Sequence, residues 1–113
     1  MPRVCERRRH TRLAISCPAA IRDRTGRLLL RGRAADITPC GVRILGSGGM
    51  PIQEGQDVWV ELTVRGPRPL TSRPRIVKVR GQVRRVEVMG SWRSVLIVIF
   101  DTELPSRLLD PML

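Results

Sequence analysis

The sequence predicts an all-β domain of about six short antiparallel strands, arranged as a small barrel or a strongly bent sheet. Val and Ile recur along the whole chain, whereas long windows of Ala, Leu, Glu and Lys are missing. Short apolar runs alternate with polar residues at a period of two, and clusters of turn-forming residues separate them. A chain of 113 residues with 42% apolar residues has room for one compact core and no second domain.

The start of the chain differs from the rest. Residues 1–12 are polar and rich in arginine, with no apolar period to bury, so we expect a mobile arm in front of a domain that spans residues 13–113. From residue 13 to Ile21, apolar residues alternate with polar or small ones, which predicts a first strand. Thr25 and Gly26 supply a turn before a second strand over residues 28–36, so the two strands should form a hairpin.

The middle of the chain predicts two further strands. Turn formers at residues 36–41 indicate a break, after which a third strand runs over residues 42–45 and a second break follows at 46–51. Residues 57–64 predict a clean fourth strand with Trp59 on the face opposite to its apolar side chains.

The last third of the chain completes the predicted sheet. Residues 65–74, which are rich in proline, predict a surface loop or wide hairpin. Valines between residues 77 and 88 predict a long fifth strand whose phase slips near 81–85, which indicates a β-bulge. A last strand follows over residues 92–100, and residues 104–113 could add a short helix that Pro111 limits.

The charge of the chain indicates the class of its partner. It carries 21 basic and 10 acidic residues, for a net charge of +11, and every basic residue except Lys78 is arginine. The partner is therefore expected to be an anion. A guanidinium group grips a phosphate or a guanine edge with two parallel hydrogen bonds, which the ammonium group of lysine cannot do. A genome that favours arginine codons would produce the same composition without a functional cause, but explains the N-terminal cluster less well.

Cysteine usage and apolar content indicate the compartment. Cys5, Cys17 and Cys40 are odd in number and widely spaced, which favours reduced thiols over a closed disulfide set or a zinc site. No apolar stretch follows the first residues, and the longest apolar run, residues 95–100, is too short to cross a bilayer. We therefore expect a cytoplasmic protein that does not insert into membranes.

Residues suited to catalysis are scarce. His10 is the only histidine and lies among the arginines of the arm, so none is left to activate a serine or cysteine elsewhere. The glycine-rich residues 46–49 lack the Lys-Ser/Thr pair of a phosphate-binding loop. We therefore predict a protein that is not an enzyme and that holds no metal or cofactor.

Two short patterns carry the functional prediction. Arg8 and Arg12 are four residues apart, about 13 Å in an extended arm or about 6 Å in a helical turn, so both side chains can close on one ligand. The pattern Asp36-x-Thr38-x-x-Gly41 places a carboxylate and a hydroxyl on one face if the strand persists, and the carboxylate can accept hydrogen bonds from a guanine edge. Gly41 allows a positive φ and a close approach of ligand. Taken alone, this second pattern also fits an ordinary turn stabilised by Asp or Thr.

In this order the two patterns resemble those of the PilZ family of cyclic di-GMP receptors, R-x-x-x-R followed by [DN]-x-S-x-x-G. The similarity extends to residues 51–55 and 79–86. The chain departs from the family pattern at Thr38, where serine is usual, and lacks the glycine often found before the final Phe. Thr38 keeps the hydroxyl but adds a methyl group that could crowd a ligand.

The resemblance implies a six-stranded antiparallel barrel and cyclic di-GMP as its ligand. The arm would supply one side of the site and the turn the other, with Arg7 assisting a stacked pair of ligand molecules. The implied ligand-binding residues are Arg7, Arg8, Arg9, Arg12, Asp36, Thr38 and Gly41.

The implied function is that of a sensor and adaptor, in which the ligand orders the arm against the barrel and changes the affinity for a downstream protein. One alternative is a barrel that binds RNA or single-stranded DNA. Such proteins usually stack bases on exposed aromatic side chains, and this chain has only Trp59, Trp92 and Phe100, so nucleic acid is not the expected partner. Another alternative is a PilZ-like adaptor that no longer binds a ligand.

Overall fold

The structure is a computed structural model, and it describes residues 13–47, 51–64, 73–90 and 93–104. The expected arm at residues 1–12 and the expected helix beyond residue 104 lie outside this part of the chain. Within it, no helix is long and apolar enough to span a membrane. The strands are β1 (Leu13–Arg22), β2 (Leu28–Thr38), β3 (Gly41–Ser47), β4 (Asp57–Val64), β5 (Arg75–Met89) and β6 (Arg93–Phe100).

The six strands close into an antiparallel barrel in the order β1-β2-β3-β6-β5-β4. Four of the neighbouring pairs are hairpins between consecutive strands, and the β3–β6 and β1–β4 ladders close the circle. The predicted all-β class and the six-stranded antiparallel barrel are thus confirmed.

The barrel core follows from alternation along each strand. On β4, four apolar side chains point inward and are buried, whereas Trp59 lies on the outer face as predicted. The core is closed by the fully buried ring of Phe100 at the end of β6. The other fully buried large side chains are Ile21, Ile37, Ile44, Val60, Leu62, Val83, Leu96 and Val98.

Local features of the strands agree with most of the predicted boundaries. The turn between β1 and β2 forms at Thr25, as predicted. One carboxylate oxygen of Asp23 stabilises it by accepting hydrogen bonds from the backbone N–H groups of Thr25 and Arg27, both at 2.9 Å. The predicted bulge in β5 appears as a register shift between Val83 and Arg85.

The segment at residues 36–41 differs from the prediction. It was expected to break the strand, but β2 continues to Thr38 and β3 starts at Gly41, so only Pro39 and Cys40 lie outside the ladder. The register shift between Ala34 and Asp36 was not predicted, nor were the two shifts in the β1–β2 ladder. Ladder hydrogen bonds to β3 therefore outweigh the turn-forming tendency of this short sequence.

Candidate functional site

The D-x-T-x-x-G pattern lies at the β2–β3 turn, where its carboxylate and hydroxyl share one face. Ile37 points into the core and is fully buried, so Asp36 and Thr38 on either side of it point outward. The strand persists through both residues, as this arrangement required.

Arg43 on β3 is the direct neighbour of Asp36 across the hairpin. The two residues are Cα partners in the ladder, and Nη2 of Arg43 lies 2.6 Å from Oδ2 of Asp36. The Asp36 side chain is only 16% exposed, whereas that of Arg43 is 49% exposed. The acid of the pattern is therefore held in an ion pair by a base that faces solvent.

The Thr38 hydroxyl serves the turn itself. The backbone N–H of Cys40 donates to Oγ1 of Thr38 at 3.2 Å. The distance from the same oxygen to the carbonyl oxygen of Gly41 is 3.5 Å, too long for a strong hydrogen bond. The structure therefore shows the ordinary Thr-stabilised turn that the pattern alone also allows.

The turn is anchored to the end of β6. The backbone N–H of Phe100 donates to the carbonyl of Cys40 at 2.8 Å, and that of Leu104 donates to the carbonyl of Pro39 at 2.7 Å. Because both turn carbonyls are used in this way, the pattern is presented by a fixed backbone.

The expectation of reduced thiols is wrong at Cys40. Cys40 is disulfide-bonded, to a partner outside the described residues. Cys17 is the free cysteine of the described part of the chain. Burial raises the pKa of the Cys17 thiol, an effect that the charge of Arg33 opposes. A raised pKa makes this thiol less reactive.

Gly41 is required for a reason other than the predicted one. Its φ is not positive, so the expectation of a left-handed turn residue is wrong. Gly41 is buried against β6, and a Cβ at this position would lie 2.6 Å from the carbonyl oxygen of Val98. The glycine therefore allows β3 and β6 to approach closely and close the barrel.

The start of β1 lies beside the pattern. Leu13 is the Cα partner of Ile37, and Ala14 is the partner of Asp36. The predicted arm arginines, Arg7, Arg8, Arg9 and Arg12, lie outside the described residues. The last of them directly precedes Leu13 in the sequence.

Sequence reasoning missed residues that share the outer face with Asp36. Arg43 pairs with Ile97 on β6, which in turn pairs with Arg85 on β5, so one row of neighbours crosses four strands. Arg85 is itself ion-paired with Glu87 at 2.9 Å. Counting back from a two-residue turn would have placed Arg43 opposite Asp36. That Ile97 and Arg85 lie in the same row could not be predicted without knowing how the barrel closes.

The described residues contain no cluster of His, Cys, Asp and Glu that could hold a metal ion. The outer face of the hairpin instead offers one carboxylate beside guanidinium groups, on a backbone that is held by ladders on both sides. This arrangement suits recognition of a polar, anionic ligand through hydrogen bonds.

Comparison with known proteins is consistent with this fold and pattern. The barrel superimposes on Bacillus subtilis Inhibitor of motility (MotI/DgrA) with a TM-score of 0.68 and 15% identity, covering 96% of this chain and 49% of that one. This chain thus spans about half the length of that protein. The PilZ domain with c-di-GMP of YcgR from Escherichia coli gives a TM-score of 0.63 and 17% identity, covering 89% of this chain and 82% of that one. No curated protein matches by sequence.

The structural likenesses fall below 25% identity and establish the fold, whereas the family follows from the sequence itself. The model of the PilZ domain family matches residues 6–108, which include both arginines of the R-x-x-x-R pattern and the whole D-x-T-x-x-G pattern. The chain therefore belongs to the PilZ domain family.

Proposed function

We propose that this protein is a sensor and adaptor that binds cyclic di-GMP on the outer face of the β2–β3 hairpin and thereby changes its affinity for a downstream protein. The observation that carries this proposal is the register of β1 with β2. It brings the beginning of β1 to the strand that carries Asp36 and Thr38, and Arg12 directly precedes β1 in the sequence.

The reach of the arm fits this site. Neighbouring strands are about 4.8 Å apart, and consecutive Cα atoms are about 3.8 Å apart, so the Cα of Arg12 is within about 9 Å of that of Ile37. Arg8 is then at most about 13 Å further along the chain. Both side chains can therefore reach a flat dinucleotide lying on the hairpin, with Arg7 and Arg9 next to them.

The chemistry of the hairpin suits guanine and phosphate. The Asp36 carboxylate can accept hydrogen bonds from the Watson–Crick edge of guanine while Arg43 holds it in place. Arg43 and the arm arginines can meet phosphate oxygens, or the O6 and N7 acceptors of guanine, with paired N–H groups. Thr38 contributes mainly by fixing the turn, and Gly41 by closing the barrel.

The relatives support the same class of function. The YcgR domain is described with c-di-GMP, and MotI/DgrA as an inhibitor of motility.

Two alternatives are less well supported. Among the described aromatic residues, Phe100 is fully buried, and Trp59 is already covered by Arg80, whose guanidinium carbon lies 5.5 Å from the ring centroid. Neither offers a free platform for stacking the bases of RNA or single-stranded DNA. A barrel that had lost its ligand would have no need to keep the Asp36–Arg43 pair on the surface.

Calorimetric titration of cyclic di-GMP at physiological salt tests the proposal. We expect micromolar or tighter binding, equivalent to about 8 kcal/mol or more. Arg8→Ala and Asp36→Ala should abolish it, and Arg24→Ala, at the opposite end of the barrel, should not. GTP and a short oligonucleotide serve as competing ligands. Absence of cyclic di-GMP binding, together with salt-dependent binding of the oligonucleotide, would replace this function with nucleic-acid binding. If neither ligand binds, the ligand-free adaptor takes its place.

The cytoplasmic location is also a proposal. The disulfide at Cys40 argues against this location, because disulfides are more usual in an oxidising compartment. Fractionation of the native host, with the protein followed by antibody, tests the location directly.

A further inference from the structure

A shallow groove of about 810 Å³ lies on the outer face of β2, β3 and β6 and at the end of β5. It runs along the β2–β3 hairpin from Arg31 and Ser47 to Ala35, next to Asp36. We call it the arginine groove and define it by the side chains that matter to its chemistry, which are Arg31, Arg33, Leu45, Met89, Arg93 and Val95.

The floor of the groove is formed by the backbones of β2 and β3, which lie very close together at two facing glycines. Gly32 on β2 is the Cα partner of Gly46 on β3, and a Cβ at Gly32 would overlap the carbonyl oxygen of Leu45. The two strands approach each other closely at this point.

The groove carries positive charge that the described part of the chain leaves unpaired. Arg31 and Arg93 are both exposed, and both are Cα partners of Ser47, so they flank it at about 10 Å from each other. Neither takes part in any ion pair or side-chain hydrogen bond among the described residues.

Apolar side chains lie between these charges. Leu45 is 48% exposed and Met89 is 57% exposed, and Leu45 is the Cα partner of Val95 on β6. A strip of exposed apolar surface framed by unpaired charges of one sign is typical of a protein-binding surface. Nucleic acid would satisfy the charges but leave the apolar strip without a partner.

We propose that the arginine groove docks an acidic, amphipathic segment of the downstream protein. Carboxylates of the segment pair with Arg31 and Arg93, and its apolar side chains cover Leu45, Val95 and Met89. This inference rests on the proposed function in that it names the class of partner. Arg33 and Asp36 are three residues apart on β2, roughly 10 Å along the strand, so bound ligand and docked segment lie side by side.

Fluorescence anisotropy with a labelled peptide that alternates leucine and glutamate tests the docking directly. The peptide should bind the native protein, with and without cyclic di-GMP. A double variant, Arg31→Glu with Arg93→Glu, should weaken binding at least tenfold, and Leu45→Ser should weaken it severalfold. A matched double variant at exposed arginines elsewhere, Arg24→Glu with Arg75→Glu, makes the same change in net charge and should have little effect. Melting temperatures show whether each variant is folded.

Two further probes decide what the groove recognises. A peptide that alternates serine and glutamate keeps the charge and lacks the apolar groups, and it should bind more weakly than the leucine peptide. A single-stranded oligonucleotide should be indifferent to Leu45→Ser. The docking proposal is overturned if both double variants weaken the leucine peptide equally, or if the serine peptide or the oligonucleotide shows the same dependence on Leu45.

A calorimetric titration of cyclic di-GMP into the same variants separates this inference from the proposed function. The groove variants should retain nearly native affinity for the nucleotide, because Asp36 and Arg43 are unchanged. Peptide binding without any cyclic di-GMP binding would refute the sensor function and leave the docking surface standing. If the protein binds the nucleotide but its groove does not discriminate among the peptides, the docking surface is refuted and the sensor function stands.

Discussion

Oδ2 of Asp36 and Nη2 of Arg43 lie 2.6 Å apart across the β2–β3 hairpin, so the carboxylate expected to meet guanine is already shared with an arginine. Arg43 is the more exposed of the two and is free to turn toward a phosphate while it still holds the carboxylate. Its substitution should therefore change affinity for the ligand more than it changes stability.

We expect Arg43→Ala to weaken cyclic di-GMP binding by roughly tenfold, because one charge-assisted contact and the alignment of Asp36 are both lost. Arg43→Lys should recover part of this loss, since an ammonium group keeps the charge but not the paired N–H groups. Calorimetry on both variants, with Arg24→Ala as the control, measures the effect. Native affinity in Arg43→Ala would place Arg43 outside the site.

The second prediction concerns Gly41. In Gly41→Ala the new methyl group would lie 2.6 Å from the carbonyl oxygen of Val98, so β3 and β6 would have to separate. Overpacking of this kind costs about 1–3 kcal/mol, which for a domain of this size lowers the melting temperature by several degrees per kcal/mol. Ser47→Ala, at the exposed end of the same strand, should leave the melting temperature unchanged. If Gly41→Ala keeps native stability and loses only ligand binding, the glycine serves the ligand and not the barrel.

The third prediction separates the hydroxyl of Thr38 from its methyl group. Thr38→Val should lower the free energy of unfolding by about 1 kcal/mol, because the backbone N–H of Cys40 loses its acceptor. Thr38→Ser keeps that hydrogen bond and removes the methyl group, so it should bind cyclic di-GMP at least as tightly as the native protein. Urea unfolding and calorimetry on the two variants check both statements. Weaker binding by Thr38→Ser would show that the methyl group contacts the ligand favourably.

The fourth prediction is a pH dependence on the opposite face of the barrel. Oε1 of Glu61 accepts from Nε of Arg22 at 3.0 Å, and Lys78 lies 3.5 Å from its other oxygen. The hydrogen bond from Arg22 lowers the pKa of Glu61 below its ordinary value of 4.5, although desolvation opposes this. The stabilisation is therefore complete above pH 4.5 and is lost as the pH falls through the lowered pKa of the folded state.

Urea unfolding of Glu61→Gln at several pH values measures this effect. The variant should be less stable than the native protein by about 1 kcal/mol or less near neutral pH, and the difference should shrink toward pH 2. Glu87→Gln removes an ion pair whose side chains are 63% (Arg85) and 48% (Glu87) exposed, so it is the matched control and should show a smaller difference. A difference at Glu61 that stays constant down to the lowest pH would contradict the assignment.

The alternation of apolar and polar residues in the sequence was enough to predict most of the fold and part of the candidate site. The alternation of β4 and the phase slip of β5 were visible because valine and polar residues differ strongly in burial. The bulge at Ala35 was not visible, because two adjacent alanines give no contrast between inside and outside. The end of β2 was placed too early, since Asp36 and Thr38 favour turns in isolation and become strand residues only when β3 pairs with them.

The remaining parts of the site depend on contacts between distant segments. That Asp36 and Thr38 share a face follows from a period of two, and the partner of Asp36 follows from counting across a short turn. The packing role of Gly41 depends on β6, which is more than fifty residues away in the sequence. The arginine groove likewise exists only because β6 closes the barrel beside β3.

The β3–β6 ladder runs through seven consecutive pairs without a register shift, from Gly41 with Ile99 to Ser47 with Arg93. It supports the motif at one end and the arginine groove at the other, so the intervening sheet has little freedom to change shape. The two ends would then be coupled through the molecules bound at these neighbouring surfaces, and not through a change in the shape of the barrel. The rate of the proposed response would then be set by association and dissociation of the bound molecules, and stopped-flow mixing should show no slow rearrangement of the barrel.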